Sequence, residues 1–295
     1  MYQDNLPSEK SFLEETLRLF LRNRLASVGA VIILLLIFLA LIGPKLTPYD
    51  PIGLDMEARL RPPSLRHPFG TDDFGRDVLS RVLSGTSISL KVAVIAVSIS
   101  AVIGTLLGAV SGYYGRWIDE VIMRLMDILF AFPAILLAIA ILAALGPGID
   151  NAMIAIGIVY TPIFARITRG SVLIVREEVY VDAATSIGCR DSRILFRHIL
   201  PNVIAPVIVE TTLSLAFAIL AEAALSFLGL GTQPPDPSWG RMLSESRGYI
   251  QNAPWLGIFP GLAIMFTVMG FNFLGDGLRD ALDPQMKRIL EMKTE

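Results

Sequence analysis

The sequence predicts an all-α membrane protein of about six transmembrane helices. Three observations carry this. The 295 residues are 53% hydrophobic and only 18% charged, where soluble chains carry about 25% charge. Apolar runs approach the roughly 20 residues that a helix needs to cross about 30 Å of hydrocarbon. The runs are also continuous rather than alternating, as helices are and half-buried strands are not. In lipid a helix satisfies its own backbone groups, which an open sheet cannot do.

The spans follow in order. Residues 1–25 are polar and mixed in charge and carry no cleavable signal pattern, so the first apolar run is expected to be retained. That run, residues 26–43, reaches Gly43-Pro44. Residues 44–87 form a long polar connection placed outside the cytoplasm. Residues 88–278 form a core of about five spans. Its first is expected over Val92–Tyr114. The next is expected over Ile122–Leu145, with Arg124 and Asp127 near its start and Gly146-Pro147-Gly148 after it. The third, Ile149–Ile167, is interrupted by Pro162. The fourth runs from Pro201 to Leu228 and holds Glu210 and Glu222. The last is Ala253–Gly275, followed by a cytoplasmic tail at 279–295. Small residues at turn spacing, Gly104 with Gly108 and Ala216, Ala218 with Ala221, predict close helix packing.

Basic residues orient the chain. Arg18, Arg22 and Arg24 precede the first span. Arg166, Arg169, Arg176, Arg190, Arg193 and Arg197 stand between the fourth and fifth. Arg279, Lys287, Arg288 and Lys293 follow the sixth. With six spans these regions share one side, which the positive-inside rule makes cytoplasmic. Both termini are then inside.

Other classes find little support. The net charge of −2 offers no nucleic-acid surface. One cysteine, Cys189, and two histidines, His67 and His198, form no cluster with metal-ligand spacing. There is no phosphate-binding glycine loop, no zinc-protease helix and no nucleophile elbow. The chain is expected not to be an enzyme and to hold no cofactor of its own. Energy for uphill transport would come from an ion gradient or from another protein.

The loop between the fourth and fifth spans reads as two short helices around a turn at Gly188. The first covers Val179–Ile187, with Ala183 and Ala184 beside Asp182, a flat face suited to another protein's groove. Gly188 can take the φ > 0 conformation that ends a helix. Asp191 or Ser192 is expected to cap the second helix, and Pro201 stands where the chain enters the fifth span.

This loop resembles the "EAA" loop of binding-protein-dependent ABC importer permeases: Glu-Ala-Ala, three residues, Gly, nine residues, Ile, one residue, Leu-Pro. Ala183, Ala184, Gly188, Leu200 and Pro201 match in register; Asp182 replaces the glutamate and His198 stands at the isoleucine position. The ending Arg197-His198-Ile199-Leu200-Pro201-Asn202 is similar to the peptide/nickel branch. So are Phe69–Asp77, Asp127–Pro133, Glu222–Gly231 with Pro234, Pro235 and Ser238-Trp239-Gly240, and Asn272–Asp280, all of the C-type subunit.

The resemblance implies a type I importer bundle in the plasma membrane. Asp182, Ala183, Ala184, Gly188, Arg190, Leu200 and Pro201 would couple it to a pair of cytoplasmic ATPases, which bind the ATP and magnesium. A second homologous permease, an extracytoplasmic solute-binding protein and a peptide-type cargo are implied as well, with nickel or another solute as the alternative. An ion-driven carrier is the reading from another class, although the two halves show no repeat. Glu210 either lines the path or pairs with a neighbouring helix. Glu222 is expected to pair. Residues Gly70–Arg81 form either a salt-bridged cap or a binding-protein contact. Asn272, Asp276 and Arg279 are expected to position the end of the sixth span.

Overall fold

The computed structural model describes residues 20–282. The readings made on residues 1–19 and 283–295, including Arg18, Lys287, Arg288 and Lys293, lie outside the described residues. Among those described, the chain is helical apart from loops and one isolated bridge between Thr71 and Asp77.

The long helices are α1 (Arg24–Leu46), α2 (Val78–Tyr114), α3 (Arg116–Phe130), α4 (Ala134–Leu145) and α5 (Ile149–Val175). A short α6 (Val179–Ser186) and a single turn, α7 (Asp191–Arg193), lead into α8 (Ile204–Phe227). A short α9 (Trp239–Ser246) and the long α10 (Trp255–Leu282) complete the bundle. Five stretches are long and apolar enough to cross a membrane, and α3 with α4 counts as a sixth if that bent pair is one span.

Packing shows that it is one. Gly157 on α5 faces Ile99 on α2, Gly104 faces Thr161 and Phe164, and Gly112 faces Arg169 and Val172. The Arg176 guanidinium then donates to the Tyr113 carbonyl at 3.0 Å. Residue numbers rise together along both helices, so α2 and α5 are parallel. The segment between them must therefore return the chain to its starting side. Small residues permit this contact: a β-carbon on Gly104 would lie 2.6 Å from Phe164 and from the Thr161 carbonyl, and one on Gly108 would strike the Ala165 carbonyl.

Antiparallel contacts complete the topology. Gly29 meets Leu274, Gly270 meets Ile32 and Gly277 meets Ala26, so α1 runs against α10. Asn23, which caps α1 by accepting from the Leu25 and Ala26 amides, also donates to Asp280 at 3.2 Å. The start of α1, the end of α10 and the 176–203 loop thus share one end, called the loop end below. The opposite end is the cap end.

The observed boundaries correct several expectations. α2 starts at Val78 rather than Val92, inside the segment read as a connection. Asp77 caps it through the Ser80 amide at 2.8 Å, and the polar first turns, with Ser80 and Arg81, are buried in protein rather than in lipid. The expected Ile122–Leu145 span is broken between Phe130 and Ala134 by a 93° bend, because Pro133 supplies no amide to continue the helix. α5 continues past Ile167 to Val175. Its arginines are paired: Arg166 with Asp127 at 2.7 Å, and Arg169 with both oxygens of Asp119 at 2.6 Å. α10 likewise runs beyond Gly275 to Leu282.

At the cap end the charges of residues 67–81 are paired with one another and with α9. Arg76 donates to Asp72 at 2.6 Å and to Glu245 at 3.1 Å. Arg81 reaches Glu245 at 2.9 Å and Asp72 at 3.5 Å, and His67 meets Asp77 at 2.9 Å. These pairs form the salt-bridged cap that was one of the two readings for Gly70–Arg81. Nearby, Glu222 is enclosed as expected, accepting from Ser89 at 3.1 Å and Ser226 at 2.7 Å.

Candidate functional site

The 176–203 loop is built on the ends of α2 and α5. An apolar cluster of Ala109, Val172, Val181, Ala184, Ile194, Leu195, Ile199 and Val203 holds it there. Burying an Ile or Val side chain stabilises by about 1.5–3 kcal/mol, so this cluster fixes the loop as a body. Two polar contacts add to it: the Tyr113 hydroxyl donates to Asp191 at 3.0 Å, and Asn202 donates to the Tyr180 oxygen at 3.0 Å. The Tyr180 hydroxyl also donates to the His198 carbonyl at 3.4 Å, and burial first, then the Glu178 charge, push its phenol above the ordinary range.

The end of α6 is closed by its own backbone. Gly188 has φ +79°. Its amide donates to the Thr185 carbonyl at 3.0 Å, and the Cys189 amide reaches back to Ala184 at 3.1 Å. This is the Schellman arrangement, in which the residue after the left-handed position also packs on the last turn. Cys189 does so, against the cluster that contains Ala184.

The candidate residues separate into two groups. Asp182, Ala183, Gly188 and Arg190 are exposed. A β-carbon on Gly188 would meet nothing within 4 Å. Ala184 is buried and Leu200 is packed on the cluster, so these two brace the loop from inside. Of the pair expected to form a flat outward face, Ala183 faces out and Ala184 faces the apolar cluster, the two lying about 100° apart around α6. Pro201 is exposed, in the first turn of a 3-10 segment, Leu200–Val203, that follows a wide π turn, Ile194–Ile199. Neither Asp191 nor Ser192 caps the second helix. Its N-cap is Arg190, with no side-chain bond, and Asp191 is turned to Tyr113.

Large apolar side chains complete the outward face. Val179 is 82% exposed and Ile187 80%, with Phe196 also exposed. Sequence reading put Val179 and Ile187 within the partner-facing helix without singling them out, and it missed Phe196 and the Tyr113–Asp191 bond; the oddity of bare Val and Ile in an arginine-rich loop was the one signal for the apolar face. Glu210, on the first turns of α8, accepts from Ser214 at 2.9 Å and lines a cleft of about 420 Å³ with Ile167, Pro206, Leu213 and Arg279. Arg279 and Asp276 also line a second cleft with Asn23 and Asp280, between the start of α1 and the end of α10.

Six spans with an outward-facing helical loop at one end suit a permease subunit of a type I ABC importer, and the chain's relatives assign it to that class. Residues 104–288 match the family of binding-protein-dependent transport system inner membrane components, and residues 11–63 match the N-terminal transmembrane domain of oligopeptide transport permease C. The chain belongs to the former family. It is 54% identical over 266 residues, 90% of this chain and 88% of the relative, to a dipeptide transport system permease protein of Alkalihalophilus pseudofirmus. It is 49% identical over 271 residues, 92% and 89% of the two chains, to a glutathione transport system permease protein of Escherichia coli O6:K15:H31. Among solved structures it is similar in fold to an inward-facing MetNI methionine ABC transporter, with TM-score 0.57, 17% identity and coverage of 69% of this chain and 97% of that one.

Proposed function

We propose that this permease carries di- or oligopeptides inward across the plasma membrane, with energy from partner ATPases that dock on the 176–203 loop. The single observation that carries the coupling role is the loop itself. α6 is closed by a glycine turn and anchored by an apolar cluster, yet it presents bare Val179 and Ile187 beside Asp182, Ala183, Gly188 and Arg190. The peptide cargo rests on the names of the relatives. The loop end is then cytoplasmic, in accord with its arginines, and both termini lie there.

The chemistry is mechanical. ATP and magnesium belong to the ATPase pair. Closure of that pair moves the docked α6, and the apolar cluster passes the displacement to α2, α5 and the Leu200–Pro201 entry of α8. A ligand biases such a two-state lever only by binding one state better than the other. The ATPases act as a pair and this chain offers one loop, so a second, homologous permease supplies the other. A solute-binding protein delivers cargo at the cap end. Glu210 lines the cytoplasmic mouth of the path.

The test is transport by the assembled complex in membrane vesicles, with radiolabelled dipeptide and with nickel. ATP-dependent dipeptide uptake that persists after the ion gradient is collapsed is expected. Uptake that follows the gradient and ignores ATP would overturn the importer reading, and ATP-driven uptake of nickel alone would overturn the cargo.

A further inference from the structure

The broken third span places irregular backbone where a membrane tolerates it poorly. α4 has 12 residues and ends at the cap end beside the start of α5. At 1.5 Å per residue the break therefore lies about 18 Å below that end, inside a hydrocarbon layer about 30 Å thick. Ala131, Phe132 and Pro133 are all exposed there. Among the described residues, the Phe132 amide has no hydrogen-bond partner, and no side chain caps the first turn of α4. Non-helical backbone at this depth persists only where protein buries it or water reaches it, and this chain does not bury it.

An ion pair stands on the same element, one to two turns before the break. Asp127 and Arg166 meet at 2.7 Å with side chains 55% and 43% exposed, and the guanidinium lies over the Phe130 ring at 4.3 Å. Arg166 lies 17 residues after Ile149, about 25 Å below the cap end, so the pair stands toward the loop-end edge of the hydrocarbon. Charges inside that edge face a bundle interior or a water-filled cavity. The neighbouring Arg169–Asp119 contact shows how the pair comes to be open. The two contacts are eight residues apart on α3, about 12 Å, but three apart on α5, about 4.5 Å. α3 therefore crosses α5 obliquely, and past the break α4 turns along α5, where Ala134 and Ala138 line a small cavity with Ile156 and Tyr160.

We propose that the open face of Asp127, Arg166, Phe130 and Phe132 is a wall of the aqueous passage in the loop-end half of the membrane. A carboxylate, a guanidinium and two rings there suit a zwitterionic solute with apolar side chains. The passage rests on the importer reading, and the zwitterionic cargo on the peptide reading.

The experiment is thiol labelling of the assembled transporter in membranes. Cys189, the only cysteine, is replaced by alanine, and single cysteines are introduced as Phe132→Cys, Leu136→Cys and Leu34→Cys, the last on the exposed face of α1. A charged, membrane-impermeant methanethiosulfonate is applied from each side, with and without ATP and vanadate. At least one of Phe132→Cys and Leu136→Cys is expected to react in one nucleotide state, while Leu34→Cys does not. If both match Leu34→Cys in every state, lipid or the second permease covers the face and the proposal is overturned. Transported dipeptide is expected to slow the reaction. Labelling slowed by nickel and not by dipeptide would overturn the peptide reading and leave the passage standing. Asp127→Asn is expected to raise the KM for dipeptide uptake about tenfold at unchanged assembly, the loss of about one charge-assisted hydrogen bond. An unchanged KM would remove Asp127 from the wall.

Discussion

The two ends of this bundle solve opposite problems. At the cap end, Arg76, Arg81, Asp72, His67, Asp77 and Glu245 are paired inside the chain, and Trp239 is buried with its indole nitrogen donating to the Val82 carbonyl at 3.1 Å. At the loop end, the inner face of α6 is just as firmly packed, but its outer face carries apolar side chains with nothing on them. Exposed apolar clusters beside polar ones mark contact surfaces. The cap end holds its charges within the chain, although Leu54, Met56, Leu65 and Ile250 are exposed there, and the loop end leaves the apolar side chains of its short helix open.

The largest effect that would break this contrast is at the cap end. Arg81 is 1% exposed, and Arg81→Ala leaves Asp72 and Glu245 without one of their cations. A loss of about 3–5 kcal/mol is expected, read as a large drop in the thermal midpoint of the purified chain. Second is Gly108→Val, whose side chain would strike the Ala165 carbonyl and separate α2 from α5. Overpacking of this kind costs about 1–3 kcal/mol, and an unchanged midpoint would contradict the glycine contact. Third is Gly188→Trp. The left-handed backbone costs about 1–2 kcal/mol for a side chain, but the space is open, so the subunit should remain in the membrane. Transport is nonetheless expected to fail while the ATPases still turn over, and normal uptake would sink the docking role of α6. The smallest concerns Asp73. Burial, then the Asp72 charge, hold its pKa above the ordinary value. Its charged form is therefore the unfavourable one in the folded chain. As pH falls through the raised pKa this group contributes stability, and as pH rises through it that contribution is lost. Asp73→Asn should remove this component from the pH profile of the midpoint, by less than about 1 kcal/mol because the group is partly exposed.

What the sequence revealed follows the range of the forces involved. Spans read from composition are present because burial in lipid depends on each residue's own character. The start of α2 was hidden because Arg81 is made tolerable by Glu245, 164 positions away. The break at Pro133 left no trace in a hydropathy average, since Ala131, Phe132 and Pro133 are not charged. In the loop, the turn at Gly188 was legible because a left-handed position selects glycine locally. The capping role given to Asp191 or Ser192 failed because the Asp191 partner, Tyr113, lies 78 residues earlier. Ala183 and Ala184 looked alike in the motif, and only the packing of α6 on α2 and α5 tells the outer one from the inner.

The length of α2 has a kinematic meaning. Its 37 residues make a rod of about 55 Å, which outreaches the hydrocarbon and touches both ends of the molecule. With the glycine contact holding α5 against it, the rod is doubled over its lower two thirds. A tilt of about 5° around its midpoint would sweep each tip by about 2.4 Å, in opposite directions. Shifts of that size are enough to switch packed helices between discrete arrangements, so a small rotation at the loop end is felt at the cap end without any bond inside the rod having to change.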